Sequence, residues 1–257
     1  MLKALTISII FALSCSAYSG TITKIASKTY SAISKSTKVL PDDEIAKLST
    51  MSNGYQGTKQ IKKYIGKLNL PLDIREDLYL RIAIFQNKIP KDEARLMFSN
   101  LKGKEGFSST LSKIIGNNIQ GTKGHLNELR IANSASQSGI KVIAIGKKFD
   151  DGIKNSLTDI DILLRKNNKD ILIEAKKYAP DTKMPIDKFK ADLDTLVIYG
   201  NNISKGKSIK IFSFTEEPRN KELLKNYQFW ANKKGVQLIF GSPMEQIEQI
   251  KMLEKIL

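Results

Sequence analysis

Residues 158–178 read TDIDILLRKNNKDILIEAKKY, and the rest of the chain is organised around them. The pattern predicts two short strands, because two runs rich in β-branched and leucine residues are separated by a polar segment. Asn167 and Asn168 in that segment are typical of a tight hairpin turn. Both predicted strands carry acids where a core strand would carry apolar residues.

Side chains alternate between the two faces of a strand. In the first strand, Asp159 and Asp161 are therefore expected on one face and Ile160 and Ile162 on the other. Asp161 is favoured as the functional acid because it lies nearer the middle of the strand. Asp159 remains a candidate for a second metal ligand.

In the second strand the apolar run stops at Glu174, and Lys176 shares the face of Glu174. If the strands pair, Asp161 and Glu174 come to the same end of the sheet, with Lys176 beside them. Two carboxylates can hold Mg²⁺ against a phosphodiester oxygen, and the ion lowers the pKa of a bound water. The lysine can orient that water or neutralise developing charge. The pattern predicts a hard-cation site with an ammonium next to it.

This arrangement resembles the signature of the PD-(D/E)XK nuclease superfamily, an acid followed on the next strand by Glu-x-Lys. Asp161 matches the acid, and Glu174, Ala175 and Lys176 match the tripeptide. The most similar members are the Holliday-junction-resolvase-like nucleases, in which an upstream helix carries a glutamate in a Gly-x-x-Gly-x-x-x-Glu-x-x-x-Ala setting. The residues that meet this helical pattern here are Gly121, Gly124, Glu128 and Ala132.

The resemblance implies an α/β fold with a restriction-endonuclease-like αβββαβ core and a mixed sheet, over about Gln120 to Phe240. One departure is a longer connection between Glu128 and Asp161, containing the polar run from Gly146 to Ser156. This departure leaves the strand pairing open.

The resemblance also implies the roles of the site residues. Asp161 and Glu174 would bind Mg²⁺ or Mn²⁺, with the Ala175 carbonyl as a further ligand. Glu128 would complete the acidic cluster, directly or through water, and Lys176 would serve the attacking water. A simpler alternative is an edge hairpin whose charged side chains form ordinary cross-strand ion pairs. That alternative does not predict Glu128.

Outside the hairpin, the sequence predicts a helical N-terminal region at 20–117 and the nuclease-like domain at 118–257. The N-terminal helices are expected near residues 22–33, from 41, and at 57–68, 72–86, 90–101 and 108–115. The later elements are expected to be strands at 140–145, 209–214 and 236–240, and helices at 185–199, 218–233 and 242–257.

The first 19 residues have the form of a secretory signal peptide, with a basic start, an apolar run and small residues before Gly20. The apolar run is too short for a comfortable membrane span, so no stable span is expected in the mature chain. In the alternative interpretation Cys15 is a lipidated N-terminus, although the usual leucine three places earlier is missing. Both predict a secreted or periplasmic protein.

The formal net charge is +16, from 42 basic and 26 acidic side chains. Such a charge favours a polyanionic partner. The expected partner is a nucleic acid, DNA ahead of RNA. A lysine-rich coding bias or an anionic membrane surface would also account for it. Cys15 is the only cysteine and His125 the only histidine, so disulfides and a zinc site are not expected. Tyr227 and Trp230 are expected in the core.

We therefore expect a secreted, metal-dependent endonuclease that hydrolyses phosphodiester bonds of DNA, or of RNA such as tRNA. Exported toxin nucleases of bacteria belong to the same superfamily, and that resemblance implies a cognate immunity protein as a partner. The alternative function is a non-catalytic, basic nucleic-acid-binding or envelope-associated protein. A divalent-dependent nuclease assay separates these functions.

Overall fold

The computed structural model describes residues 70–116, 119–152, 157–205 and 207–256, together with Lys63 and Ile65. The predicted signal peptide, Cys15 and the helices expected near residues 22–33 and from 41 lie outside the described residues. So does most of the helix expected at 57–68.

Seven helices are complete within the described ranges. They are α1 (Leu72–Phe85), α2 (Lys91–Leu101), α3 (Phe107–Gly116), α4 (Ile119–Gln137), α5 (Ile186–Asn202), α6 (Lys221–Lys233) and α7 (Pro243–Ile256). Helices α1, α2 and α5 each begin directly after a proline, which suits that position because the first turn needs no backbone donor there. None of the described helices is long and apolar enough to cross a membrane.

Five strands form one mixed sheet in the order β1-β2-β3-β4-β5. They are β1 (Lys141–Phe149), β2 (Thr158–Lys166), β3 (Lys169–Lys176), β4 (Ser208–Phe214) and β5 (Gln237–Phe240). The first three strands are antiparallel, whereas β3, β4 and β5 are parallel. Helices α5 and α6 provide the crossovers that parallel pairing requires. The predicted α/β class and mixed sheet are confirmed.

The hairpin between β2 and β3 forms as the sequence predicts. Lys166 pairs with Lys169 across the turn, and Asn167 and Asn168 have φ values of 48° and 60°. Two consecutive positive φ values match the twist that a two-residue hairpin needs.

Helices cover both faces of the sheet. One core cluster packs helices α1, α2, α3, α4 and α7 against the face of the sheet that carries Ile162 and Ile173. The other joins α5 and α6 to the face that carries Leu163 and Leu172. Because strands covered on both faces bury all their side chains, the middle of β2 and of β3 is apolar without alternation.

The expected sharing of one face by Ile160 and Ile162 is wrong. Ile160 lies in the cluster with α5 and α6, whereas Ile162 lies in the cluster with α4. Their partners on β1 are Lys147 and Ile145, and between those partners Gly146 has a φ of 63°. A glycine adopts this left-handed conformation at little cost, and the simple alternation along β2 does not hold beside it.

Candidate active site at the opening between β2 and β3

The central feature of the site is the point where β2 and β3 separate. Their pairing extends from the turn only as far as Ile162 and Ile173. Beyond these residues β2 continues along β1, and β3 continues along β4. Asp161 and Glu174 are the first residues past the last pair. We call this opening the fork.

Asp161 connects the two strands at the fork. Its Oδ2 accepts a hydrogen bond of 2.8 Å from the backbone N–H of Ala175 on β3. Burial raises the pKa of Asp161 well above its usual range, and the nearby charges of Glu174 and Glu128 raise it further. The charge of Lys176 and the Ala175 N–H act in the opposite direction. The ionised carboxylate therefore lies in a site that already holds excess negative charge.

Glu174 and Lys176 form a buried ion pair on β3. The Lys176 ammonium donates a hydrogen bond to Oε1 of Glu174. Glu174 is only 6% exposed. Burial raises the pKa of Glu174 to about 7 in spite of the lysine. Burial alone would lower the pKa of Lys176, but the charges of Glu174, Asp161 and Asp192 raise it. Lys176 is therefore cationic at neutral pH, whereas burial shifts Glu174 towards its protonated form.

Asp192 on α5 belongs to the same site, and sequence reasoning missed it. Its Oδ2 lies 3.1 Å from Nζ of Lys176 and 3.2 Å from Nζ of Lys188. The side chain of Asp192 is only 18% exposed. From the sequence alone, the four-residue spacing between Lys188 and Asp192 predicts only an ion pair along the helix. Only the packing of α5 against the sheet brings Asp192 to Lys176.

Glu128 approaches the fork from α4. It is 8% exposed, and its charge is one of those that raise the pKa of Asp161. Its direct partner is His125, with Nδ1 3.0 Å from Oε1 of Glu128. His125, the only histidine of the chain, lies one helical turn before Glu128 on α4. Glu128, Asp161, Glu174 and Lys176 thus form one electrostatically linked group.

The other members of the helical pattern are also on α4. Ala132 is fully buried, and its small side chain suits the packing of α4 on the sheet. Gly124 has open space where a Cβ atom would lie, with nothing within 4 Å. A glycine inside a helix costs roughly 1 kcal/mol relative to alanine. No contact within the described protein explains Gly124.

Asp159 is partly exposed on β2, two residues before Asp161. Its Oδ2 is 3.9 Å from the position that a Cβ on Gly146 would take. Its charge is the smallest of the named influences on the pKa of Glu174. Asp161 accepts a hydrogen bond from β3, and the charges of Glu174 and Glu128 both raise its pKa beyond the effect of burial, so it has more contacts within the group than Asp159.

The donor atoms at the fork suit a hard cation, since they are carboxylate oxygens, and the charges of Glu174 and Glu128 add to the burial that raises the pKa of Asp161. In the described part of the chain, however, no three acidic, histidine or cysteine side chains are arranged to hold one ion together. Each carboxylate has another partner. These partners are the Ala175 N–H for Asp161, Lys176 for Glu174 and His125 for Glu128. The chemistry of the donor set fits Mg²⁺ or Mn²⁺.

Comparison of the sequence with protein-family models finds no match, and comparison with curated proteins finds none either. The function is therefore argued from the chain's own residues.

Proposed function

We propose that the chain is a metal-dependent nuclease with a site of the PD-(D/E)XK type and a restriction-endonuclease-like core. The observation that carries the proposal is the buried pair of Glu174 and Lys176 beside Asp161 at the fork. Burying charged groups is costly, and a buried ion pair often adds little or no stability to a fold. Such a pair at the end of a strand is therefore a candidate for a functional site. The order of helix, three antiparallel strands, helix and parallel strand also supports such a core.

In the proposed reaction, water attacks the phosphorus of a phosphodiester, the bond to the leaving oxygen breaks, and that oxygen takes up a proton. A divalent ion would polarise the phosphate and activate the water. Asp161 and Glu174 would hold the ion, and Glu128 would complete the acidic group. A cation there would offset the repulsion that raises the pKa of Asp161.

Lys176 would act as a cation in this reaction. Because neighbouring acids raise its pKa, the ammonium keeps its proton at neutral pH. It is therefore suited to stabilise negative charge on the phosphate or to orient the water, and not to remove the water's proton.

The charge and the N-terminal sequence extend the proposal. A net charge of +16 favours a nucleic acid as the substrate. We place DNA ahead of RNA as the substrate to test first. The signal-peptide-like start supports export to the periplasm or the medium. A toxin effector with a cognate immunity protein is the biological setting that the resemblance suggests.

The decisive experiment incubates the purified protein with plasmid DNA, single-stranded DNA and tRNA in Mg²⁺, in Mn²⁺ and in a chelator. We expect cleavage of at least one substrate with a divalent ion and none in the chelator. Lys176→Ala should lose cleavage by a factor of 100 or more while still binding the divalent ion, as measured by calorimetry. Binding without cleavage by the folded protein would favour the non-catalytic alternative, and unchanged turnover in Lys176→Ala would refute the site.

A further inference from the structure

A second group of basic and aromatic side chains lies where α5 packs beside α6. The Nζ atoms of Lys190 and Lys233 lie 4.2 Å and 4.9 Å from the ring centroid of Trp230. Phe229 meets the same indole edge-on at 5.3 Å and is 58% exposed. We call these four residues the Trp230 patch. Tyr227 is buried as the sequence predicts, but Trp230 is only partly buried.

The patch holds more positive charge than its own contacts neutralise. Both ammonium groups approach one indole ring, so they repel each other, and an exposed cation–π contact gains only about 0.5–1 kcal/mol. The acid paired with Lys190 is Asp187, at 3.7 Å and 95% exposed, where screening by water makes the pair weak. A phosphodiester backbone would neutralise both lysines at once.

The patch is also connected to the fork through α5. Lys190 lies two residues before Asp192, and two residues turn an α-helix by about 200°. Asp192 points to Lys176 on the sheet, whereas Lys190 reaches Trp230 on α6. The two groups therefore lie on different sides of α5, whose diameter with side chains is about 10–12 Å.

We propose that the Trp230 patch binds a single-stranded segment of nucleic acid that continues from the bond at the fork. Lys190 and Lys233 bind its phosphates, and the exposed ring of Phe229 stacks on an unpaired base. Alternating basic and aromatic side chains are the recurrent means of binding unpaired strands, because every base offers a face for stacking. This inference rests on the proposed function and specifies its substrate as a nucleic acid with unpaired bases.

Trp230 is the only tryptophan in the chain, so its fluorescence reports directly on the patch. The full-length protein is titrated in a chelator, which prevents metal-dependent cleavage, with a single-stranded oligonucleotide of about 12 nucleotides. Two further probes are an abasic oligonucleotide of the same length and a blunt duplex. We expect a saturable change in Trp230 fluorescence, with at least threefold tighter binding of the single strand than of either other probe.

Two sets of variants test the roles of the side chains, with binding measured on a labelled oligonucleotide. Replacing both patch lysines by glutamate should weaken binding at least tenfold. The plot of log affinity against log salt should become shallower by about 1.4, as for two lost phosphate contacts on a single strand. Phe229→Ala should remove the preference for the single strand over the abasic probe.

The matched control replaces Lys91 and Lys102 by glutamate. Both are exposed, they change the net charge equally, and Lys102 also lies over an aromatic ring, that of Phe98 at 5.8 Å. Equal losses in the control and the patch variant would overturn the inference, as would an unchanged Trp230 signal or an unchanged preference in Phe229→Ala. Thermal unfolding shows whether each variant folds. If a double glutamate variant does not fold, the same two lysines are replaced by glutamine instead.

The two proposals fail separately. Saturable binding at the patch by a protein that cleaves no nucleic acid would refute the proposed function alone. Divalent-dependent cleavage together with patch variants that bind normally would refute this inference alone.

Discussion

The ammonium of Lys176 lies 3.1 Å from Oδ2 of Asp192, although the two residues belong to a strand and to the helix that follows it. The same ammonium also contacts Glu174. Lys176 is therefore held between a carboxylate of its own strand and one of α5. Two anchors on separate elements restrict a long side chain that would otherwise sample many rotamers.

We expect Asp192 to act as a positioning residue. Asp192→Asn should lower kcat by about tenfold, close to 1.4 kcal/mol, and change KM little, because Lys176 keeps its charge but loses one anchor. Lys188→Ala is the matched control, since Lys188 binds Asp192 without contacting Lys176 in the described structure. Steady-state kinetics on both variants test this role. A fall confined to KM, or equal losses in the two variants, would contradict it.

The two acids of β2 should differ in their effects. Asp161→Asn should lose turnover and divalent affinity together, while Asn still accepts the hydrogen bond from the Ala175 N–H. Because the ionised form of Asp161 is unfavourable where it lies, the same change should raise the thermal midpoint in a chelator. Asp159→Asn should lose much less activity. Kinetics and calorimetry in Mn²⁺ compare them, and the reverse order would identify Asp159 as the functional acid.

The elements that the sequence predicts well are the ones set by local chemistry. The turn at Asn167 and Asn168 follows from two neighbouring residues that tolerate positive φ.

Strand β1 is longer than expected and continues to Phe149, because an edge strand accepts polar residues. One of them, Lys147, bonds at 2.8 Å to Glu105, which precedes α3 and is far away in sequence.

The parts of the site that escaped prediction depend on packing. Asp192 reaches Lys176 only because α5 crosses one face of the sheet. Trp230 is only partly buried because of the way α6 packs beside α5, although its helical spacing is that of a core residue. Ile160 and Ile162 lie on different faces because one packs with α5 and α6 and the other with α4. A local sequence pattern does not predict contacts between elements that are distant in the sequence.

Glu174 should make the stability of the metal-free protein depend on pH. Its pKa in the folded protein is about 7, above the usual 4.5, so the folded state holds the proton more tightly than the unfolded state. The free energy of unfolding should therefore fall as the pH rises through that interval, by an amount on the order of 3 kcal/mol. The raised pKa of Asp161 acts in the same direction.

Thermal unfolding in a chelator, measured from pH 4.5 to pH 8, tests this dependence. Glu174→Gln has no carboxyl at this position and should show a flatter curve. Added Mg²⁺ should raise the midpoint most at the upper end of the range, because it binds the ionised carboxylates. A wild-type curve no steeper than that of Glu174→Gln would show that Glu174 titrates normally.

The last prediction concerns Glu128, the residue that distinguishes a nuclease-like site from a charged hairpin. It lies 33 residues before Asp161, on a helix that packs against the sheet, and its charge still raises the pKa of Asp161. If Glu128 serves only its helix, Glu128→Gln should change stability by a few tenths of a kcal/mol and leave turnover alone.

If Glu128 belongs to the acidic group that holds the ion, Glu128→Gln should lower turnover at least tenfold, or about 1.4 kcal/mol in transition-state stabilisation. Glutamine preserves the size of the side chain and can still bond to His125, so the loss would report on charge. Glu93→Gln is the control, because Glu93 forms an ion pair at 2.6 Å with Arg130, which lies on α4 as Glu128 does. Full turnover in Glu128→Gln, or an equal loss in Glu93→Gln, would remove Glu128 from the site.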